Sequence, residues 1–125
     1  MELKQYGELA KTTLAKTEGE YEHLTALHMV MGMTTEVGEL VDVFKKNMAY
    51  GKPIDWVNVN EEIGDLMWYI VNFCSEYDID LETVLDTNIA KLQKRFPDKV
   101  FVSEHAINRN IDEERDILEK NNKTV

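Results

Sequence analysis

The sequence predicts an all-α protein, a helical bundle of four to five helices. Apolar residues recur at spacings of three and four, glycines (6) and prolines (2) are scarce, and no Asn-Gly or Asp-Gly hairpin signal occurs. A chain of 125 residues with 43% apolar content fits one ordinary domain. Such a chain removes roughly two-thirds of its unfolded surface from water, so wholesale disorder is excluded.

The elements follow in order. Leu3, Tyr6, Leu9, Ala10, Thr13 and Leu14 trace one face of a first helix, which gives way near Thr17-Glu-Gly-Glu. A second, longer helix has Leu24, Leu27, Met31, Val37, Val41, Phe44 and Met48 as its main apolar stripe and stops at Tyr50-Gly-Lys-Pro. Gly32 and Gly38 inside it destabilise a helix relative to alanine, and close approach to a neighbour is the reason expected for them. A third helix begins between Asp55 and Asn60 and runs to about Tyr77, striped by Val59, Ile63, Leu66, Ile70, Phe73 and Tyr77. Asp80 is the expected N-cap of a fourth helix through Leu81, Val84, Leu85, Ile89, Leu92 and Phe96, which Pro97 ends. No period holds from Asp98 to Arg109. Asn110 with Glu113 then forms a capping-box signature before a charged last helix. The expected organisation is a helical domain over residues 1–97 and a C-terminal extension over 98–125.

Charge and hydropathy narrow the function. Lys+Arg 14 against Asp+Glu 24 gives −10, which argues against general binding to a nucleic-acid backbone. A polyanionic ligand must be met locally or through a metal. The longest charge-free stretches, His23 to Thr35 and Leu66 to Ser75, are shorter than the roughly 20 residues of a membrane span. The N-terminal residues show no apolar h-region, so a cytoplasmic protein is expected. The lone Cys74 lies in an apolar run and reads as a buried structural thiol.

Asp65 is the only charged residue between Ile63 and Ser75, in the most apolar helix, and a carboxylate so placed is rarely left unpaired. Glu62 precedes it by three residues on the same face, and Glu36 and Glu39 repeat the device on the second helix. If the two helices pack antiparallel, four carboxylates face one another and need protons or a cation. Oxygen-only ligands select Mg²⁺ or Mn²⁺ over zinc, and a calcium-binding EF-hand pattern is absent. Glu36, Glu39, Asp42 and Lys46 also share an arc opposite the main stripe, which is what a solvated face looks like.

Glu36-Val-Gly-Glu39 followed by Glu61-Glu62-Ile-Gly-Asp65-Leu resembles the signature of MazG-type all-α nucleoside triphosphate pyrophosphohydrolases. The likeness continues through Asn88-Ile-Ala-Lys91-Leu-Gln-Lys-Arg95-Phe-Pro and covers roughly residues 20 to 97. The tail Ile107-Asn-Arg-Asn-Ile-Asp-Glu-Glu-Arg is similar to that of small MazG-like proteins. The resemblance implies hydrolysis of a nucleoside triphosphate between its α and β phosphates with Mg²⁺, and Glu36, Glu39, Glu62 and Asp65 as metal ligands. It implies a nucleotide-holding role for Tyr69, which as a residue of the third helix reads equally as core. Thr35 stands where many family members carry a second acid.

Asn88, Lys91 and Arg95 share a helical face and are candidate phosphate contacts, or a surface basic stripe. Trp56, in the loop entering the third helix, could stack on a base, whereas Trp68 points away from the Asp65 side and reads as packing or interface. His28 reads as a ligand-site residue or as a satisfied helix histidine. Apolar residues on more than one face of the second and third helices predict a homodimer or homotetramer. Two alternatives stand beside this reading: an acidic helical binding module or DNA mimic, and, within the fold, a phosphoribosyl-ATP pyrophosphohydrolase.

Overall fold

The computed structural model describes residues 1–121 and is all-helical among them. The helices are α1 (Leu3–Lys11), α2 (Leu24–Tyr50), α3 (Trp56–Glu76), α4 (Leu81–Arg95), α5 (Ser103–Ile107) and α6 (Ile111–Asn121). They fall into two compact units divided between Asp78 and Ile79, so the boundary expected after residue 97 lies inside the second unit, just past α4. No helix of the described residues is long and apolar enough to cross a membrane.

The first unit is built on an α2–α3 hairpin. α2 stops where Gly51 takes the left-handed conformation (φ 63°), donating its N–H to Asn47 O at 2.9 Å, while Lys52 N–H reaches back to Lys46 O at 3.4 Å. Asp55 starts α3 by accepting from the N–H groups of Val57 (3.1 Å) and Asn58 (3.2 Å). The connection 51–55 therefore has a fixed geometry at both ends. Contacts run in opposite sequence order along the two helices: Phe44 meets Trp56, Gly32 meets Tyr69, and His23 meets Tyr77, which makes them antiparallel as expected.

Gly32 is the tightest point of that seam. A Cβ there would lie 2.1 Å from the Tyr69 ring, so the backbone of α2 runs directly beneath an aromatic face. Gly38 has nothing within 4 Å, so the close approach expected at both glycines occurs within this chain at Gly32 alone.

The helix stripes needed correction. Met29, Ala26 and Val43 are the buried apolar residues of α2, whereas Leu27, Met31, Val37, Val41, Phe44 and Met48 are exposed. At 100° per residue, Met29 and Val43 share an arc with Glu36, and Leu27, Met31, Val41 and Met48 of the stripe lie about 120° or more around the helix from it. The more apolar side of an amphipathic helix is normally the inner one. Of the arc that looks solvated, Glu36 meets α3, whereas Glu39 and Lys46 are exposed and Asp42 pairs with Lys45 and Lys46 on its own helix. On α3, Val59, Val71 and Cys74 are buried as core residues, Cys74 as a buried thiol in keeping with its sequence, while Ile63 is 48% exposed. α1 packs on α3 and ends at Lys11, short of Leu14. There the hydroxyls of Thr12 and Thr13 bond the carbonyls of Leu9 (2.7 Å) and Ala10 (2.9 Å), competing with the helical ladder. The Thr13 oxygen also accepts from Trp68 Nε1 at 2.8 Å, so the indole serves packing between α1 and α3.

In the second unit, Asp80 caps α4, accepting from Glu82 N–H at 3.2 Å and from the Thr83 hydroxyl at 2.7 Å. Asn110 caps α6 through Glu113 N–H at 3.2 Å. Between them lies α5, too short for a periodic signal. α4 and α6 are joined by Glu114, a buried carboxylate of α6 gripped by Arg95 at 2.8 Å through both Nε and a terminal nitrogen, and by Arg109 at 2.6 Å.

Gly32→Ala should lower stability by about 3 kcal/mol through overpacking against Tyr69, and Gly32→Ala/Tyr69→Leu should recover much of it. Thermal melts of the single and double variants check this; a Gly32→Ala protein as stable as the wild type would mean that α2 and α3 do not pack at this distance.

Glu114 is held at a pKa of about 2, below its usual 4.5, by hydrogen bonds from Arg95 and then Arg109. A depressed carboxyl contributes stability above its unfolded value and loses it as pH falls from 4.5 toward 2. Arg95→Ala should therefore destabilise the protein at neutral pH and less so at pH 3, read from denaturant melts at the two pH values.

Candidate metal centre

Glu36, Glu62 and Asp65 each place a carboxylate oxygen so that all three lie within 4.8 Å of one another. They come from the paired faces of α2 and α3, four residues beyond Gly32 on one helix and on the turns preceding Tyr69 on the other. Two of the expected ligands exchange environments relative to expectation. Glu62 is the buried carboxylate, at 4% exposure, whereas Asp65, singled out in the sequence for its apolar neighbours, is exposed. Of its apolar neighbours in sequence, Trp68 bonds Thr13, Tyr69 packs against Gly32 and Val71 is turned to another side of α3, and Asp65 is left open to solvent.

The electrostatics are those of like charges held together. Two carboxylates 4.8 Å apart repel by about 3 kcal/mol at an effective dielectric of ~20, before screening. Glu36 holds its proton above the usual 4.5. Desolvation is the largest cause, followed by a hydrogen bond with the Glu62 carboxyl and then by repulsion from Glu39, Asp65 and Glu62. Glu39 stands outside the three-residue cluster, exposed and one turn along α2, close enough for its charge to act on Glu36. The donor set is all oxygen and all anionic, which fits a hard divalent cation.

Residues that the sequence did not single out also reach this region. Tyr6 of α1 donates its hydroxyl to Gly64 O at 3.3 Å, and burial followed by the Asp65 charge pushes its pKa above the usual 10. Asn58 donates its side-chain amide to Glu62 Oε1. Tyr6 carries no periodic mark beyond that of a core residue. Asn58 lies four residues before Glu62, a spacing at which a neutral donor is legible only once the acid is known to be buried.

The other expected contacts are placed as follows. Tyr69 is half-buried, its ring over Gly32 and edge-on to Trp68 with centroids 5.0 Å apart. His28 bonds Thr17 Oγ1 through Nδ1 at 3.0 Å, as a satisfied helix histidine does. Trp56 is the first residue of α3 rather than a loop residue, 62% exposed and edge-on to Phe44. Asn88, Lys91 and Arg95 lie on α4 in the second unit; Asn88 and Lys91 are half-buried, and the Arg95 guanidinium is engaged by Glu114. Thr35 spends its hydroxyl on Gly32 O at 2.8 Å.

A helical hairpin that gathers carboxylates from both arms, with no nitrogen or sulfur donor among them, defines an all-α protein with a candidate site for a hard metal ion. The MazG nucleotide pyrophosphohydrolase domain matches residues 24–101, and the chain belongs to that family. It is also 30% identical over 92 residues to the Gene 37 protein of Mycobacterium phage L5, covering 67% of this chain and 78% of the phage protein. No solved structure matches it significantly.

A raised carboxyl pKa disfavours the folded state once pH exceeds the unfolded value of 4.5, so without metal the cluster lowers stability as pH rises through that window. Glu36→Gln in EDTA should then melt higher than the wild type at pH 7, by on the order of 1 kcal/mol after screening, with the gap closing toward pH 4. A gap of the same size at both pH values would show that the three carboxylates do not repel in solution.

Proposed function

We propose that this chain hydrolyses a nucleoside triphosphate, ribo or deoxyribo, to the monophosphate and pyrophosphate in the presence of Mg²⁺ or Mn²⁺. The observation that carries the reading is the convergence of Glu36, Glu62 and Asp65 within 4.8 Å in a chain of the MazG family. Glu36, Glu62 and Asp65 hold the cation, with Glu39 as the fourth acid, next along α2. When bound, the cation supplies charge neutralisation for phosphate oxygens and acidifies water. A chain of net charge −10 repels a triphosphate, so the carboxylates recruit substrate only as a cation site.

The roles of the residues follow from their surroundings. Glu62, buried and hydrogen-bonded, is a fixed acceptor; Asp65 and Glu39, exposed, are accessible to solvent and to substrate oxygens. In the hydrolysis, water oxygen bonds to the α-phosphorus, the bridging P–O bond breaks toward pyrophosphate, and the water proton passes to a carboxylate of the set. Trp56, exposed at the start of α3, is proposed to stack on the base. Tyr69 contributes chiefly by setting the α2–α3 distance.

A homo-oligomer belongs to the same proposal. Leu27, Met31, Val37, Val41, Phe44 and Met48 are 44–83% exposed along α2, with Phe44 among them meeting an α3 ring, that of Trp56. From Val37 onward they alternate by four and three residues, the spacing of a helix–helix seam. Gly38, with open space around it, lies within that stripe.

A panel of triphosphates and phosphoribosyl-ATP with Mg²⁺ should release pyrophosphate and no orthophosphate, and EDTA should abolish turnover; orthophosphate with a nucleoside diphosphate would reject the reaction. Light scattering at micromolar concentration should report a multiple of 14.5 kDa, and Val41→Glu should shift it toward the single chain. A wild-type particle of 14.5 kDa would remove the oligomer from the proposal.

A further inference from the structure

A buried carboxylate is stable only where donors meet it, and Glu62 is 4% exposed. The Asn58 side-chain Nδ2 supplies such a donor, one turn earlier on α3, bonded to Glu62 Oε1. Asn58 is itself held in place: it is half-buried, and its backbone N–H is fixed by the Asp55 cap at 3.2 Å. Its side chain therefore projects from the pinned first turn of α3 onto the acid four residues on.

We infer that Asn58 is a positioning residue of the carboxylate centre, a neutral amide that fixes the side chain of Glu62 facing Glu36 and Asp65. This rests on the metal-centre reading above. The choice of an amide has a physical reason. A lysine or arginine at 58 would neutralise Glu62 and compete with the cation; an acid would add a further like charge; an apolar residue would leave Oε1 buried without a donor. An amide satisfies one oxygen while leaving the full negative charge of the cluster available, and hydrogen bonds of this outer kind are worth about 10–100-fold in metal affinity.

The test uses Mn²⁺ alone as the probe, its free concentration followed by electron paramagnetic resonance, on the wild type, Glu62→Gln, Asn58→Leu and Asn58→Ala. Asn58→Leu keeps the branched shape and removes the donor; Asn58→Ala gives the same readout without the bulk should the leucine variant not fold. The wild type is expected to bind, Glu62→Gln to lose binding, and both Asn58 variants to bind about tenfold more weakly. Their turnover should recover as Mg²⁺ is raised about tenfold, with an unchanged KM for the nucleotide at saturating metal. A residue that only supports the helix would lower the melting temperature without moving Mn²⁺ affinity. Wild-type affinity in both Asn58 variants would overturn the positioning role while leaving the metal centre intact. A wild-type protein that does not bind Mn²⁺ would overturn the centre and this inference together.

Discussion

The contact between Gly32 and the ring of Tyr69 sets the distance between α2 and α3, and the placement of the acidic residues depends on it. Glu36 lies one turn beyond Gly32, and Asp65 one turn before Tyr69, so the tight point of the seam and the carboxylate cluster are adjacent turns of the same two helices. A Cβ at position 32 would meet the ring at 2.1 Å, and backbone displaced to relieve that clash would carry Glu36 away from Glu62. The aromatic ring thus acts as a spacer whose thickness determines whether three carboxylates converge. The Gly51 stop and the Asp55 cap fix the register in which the two helices meet, since they leave only residues 51–55 to turn the chain.

Convergence is the part of the fold that opposes folding. Hydrophobic burial in the first unit is modest: Met29 is its fully buried large apolar side chain among the described residues, accompanied by small or β-branched ones. Against that, Glu36 and Glu62 meet in a partly dry seam, and Glu36 responds by holding its proton to higher pH than a free carboxyl. A protein that selected for stability alone would place an apolar residue at 62, where 4% exposure already describes a core position. A buried, repelling acid with its own amide donor is costly for stability, which fits the metal-ligand role proposed for Glu62.

Much of this was legible in the sequence, and the misses share one cause. The Asp55, Asp80 and Asn110 starts, the Gly51 stop and the spacing of the acidic pairs follow from single segments, whereas α1 ends at Lys11, short of the expected Leu14. What spacing could not supply was which side of each helix faces inward. The stripe of Leu27, Met31, Val41 and Met48 is the more apolar side of α2, yet it is exposed, and the side bearing Glu36 is packed. Asp65 has apolar neighbours in sequence yet is exposed, whereas Glu62, in the more polar run Asn58 to Glu62, is buried. The Arg95–Glu114 pair joins residues 19 apart across α5, beyond the reach of any helical period. Tyr6 and Asn58 matter through what they touch, which a one-dimensional pattern does not encode.

The inversion of α2 has a consequence for how assembly and chemistry are linked. An amphipathic helix normally has one apolar face to bury, and here that face is left exposed while the opposite arc is used against α3. The two sides of one rigid 27-residue helix therefore do different things: one carries Glu36 into the carboxylate cluster, and the other presents apolar residues at helix-seam spacing. A contact that covers the exposed side restrains the same backbone that positions Glu36, because a continuous helix transmits bending along its length more readily than it absorbs it. Assembly would then stiffen the strained side of the hairpin without touching an acid. In the proposed assembly, the helix that bears the like charges would be held from behind.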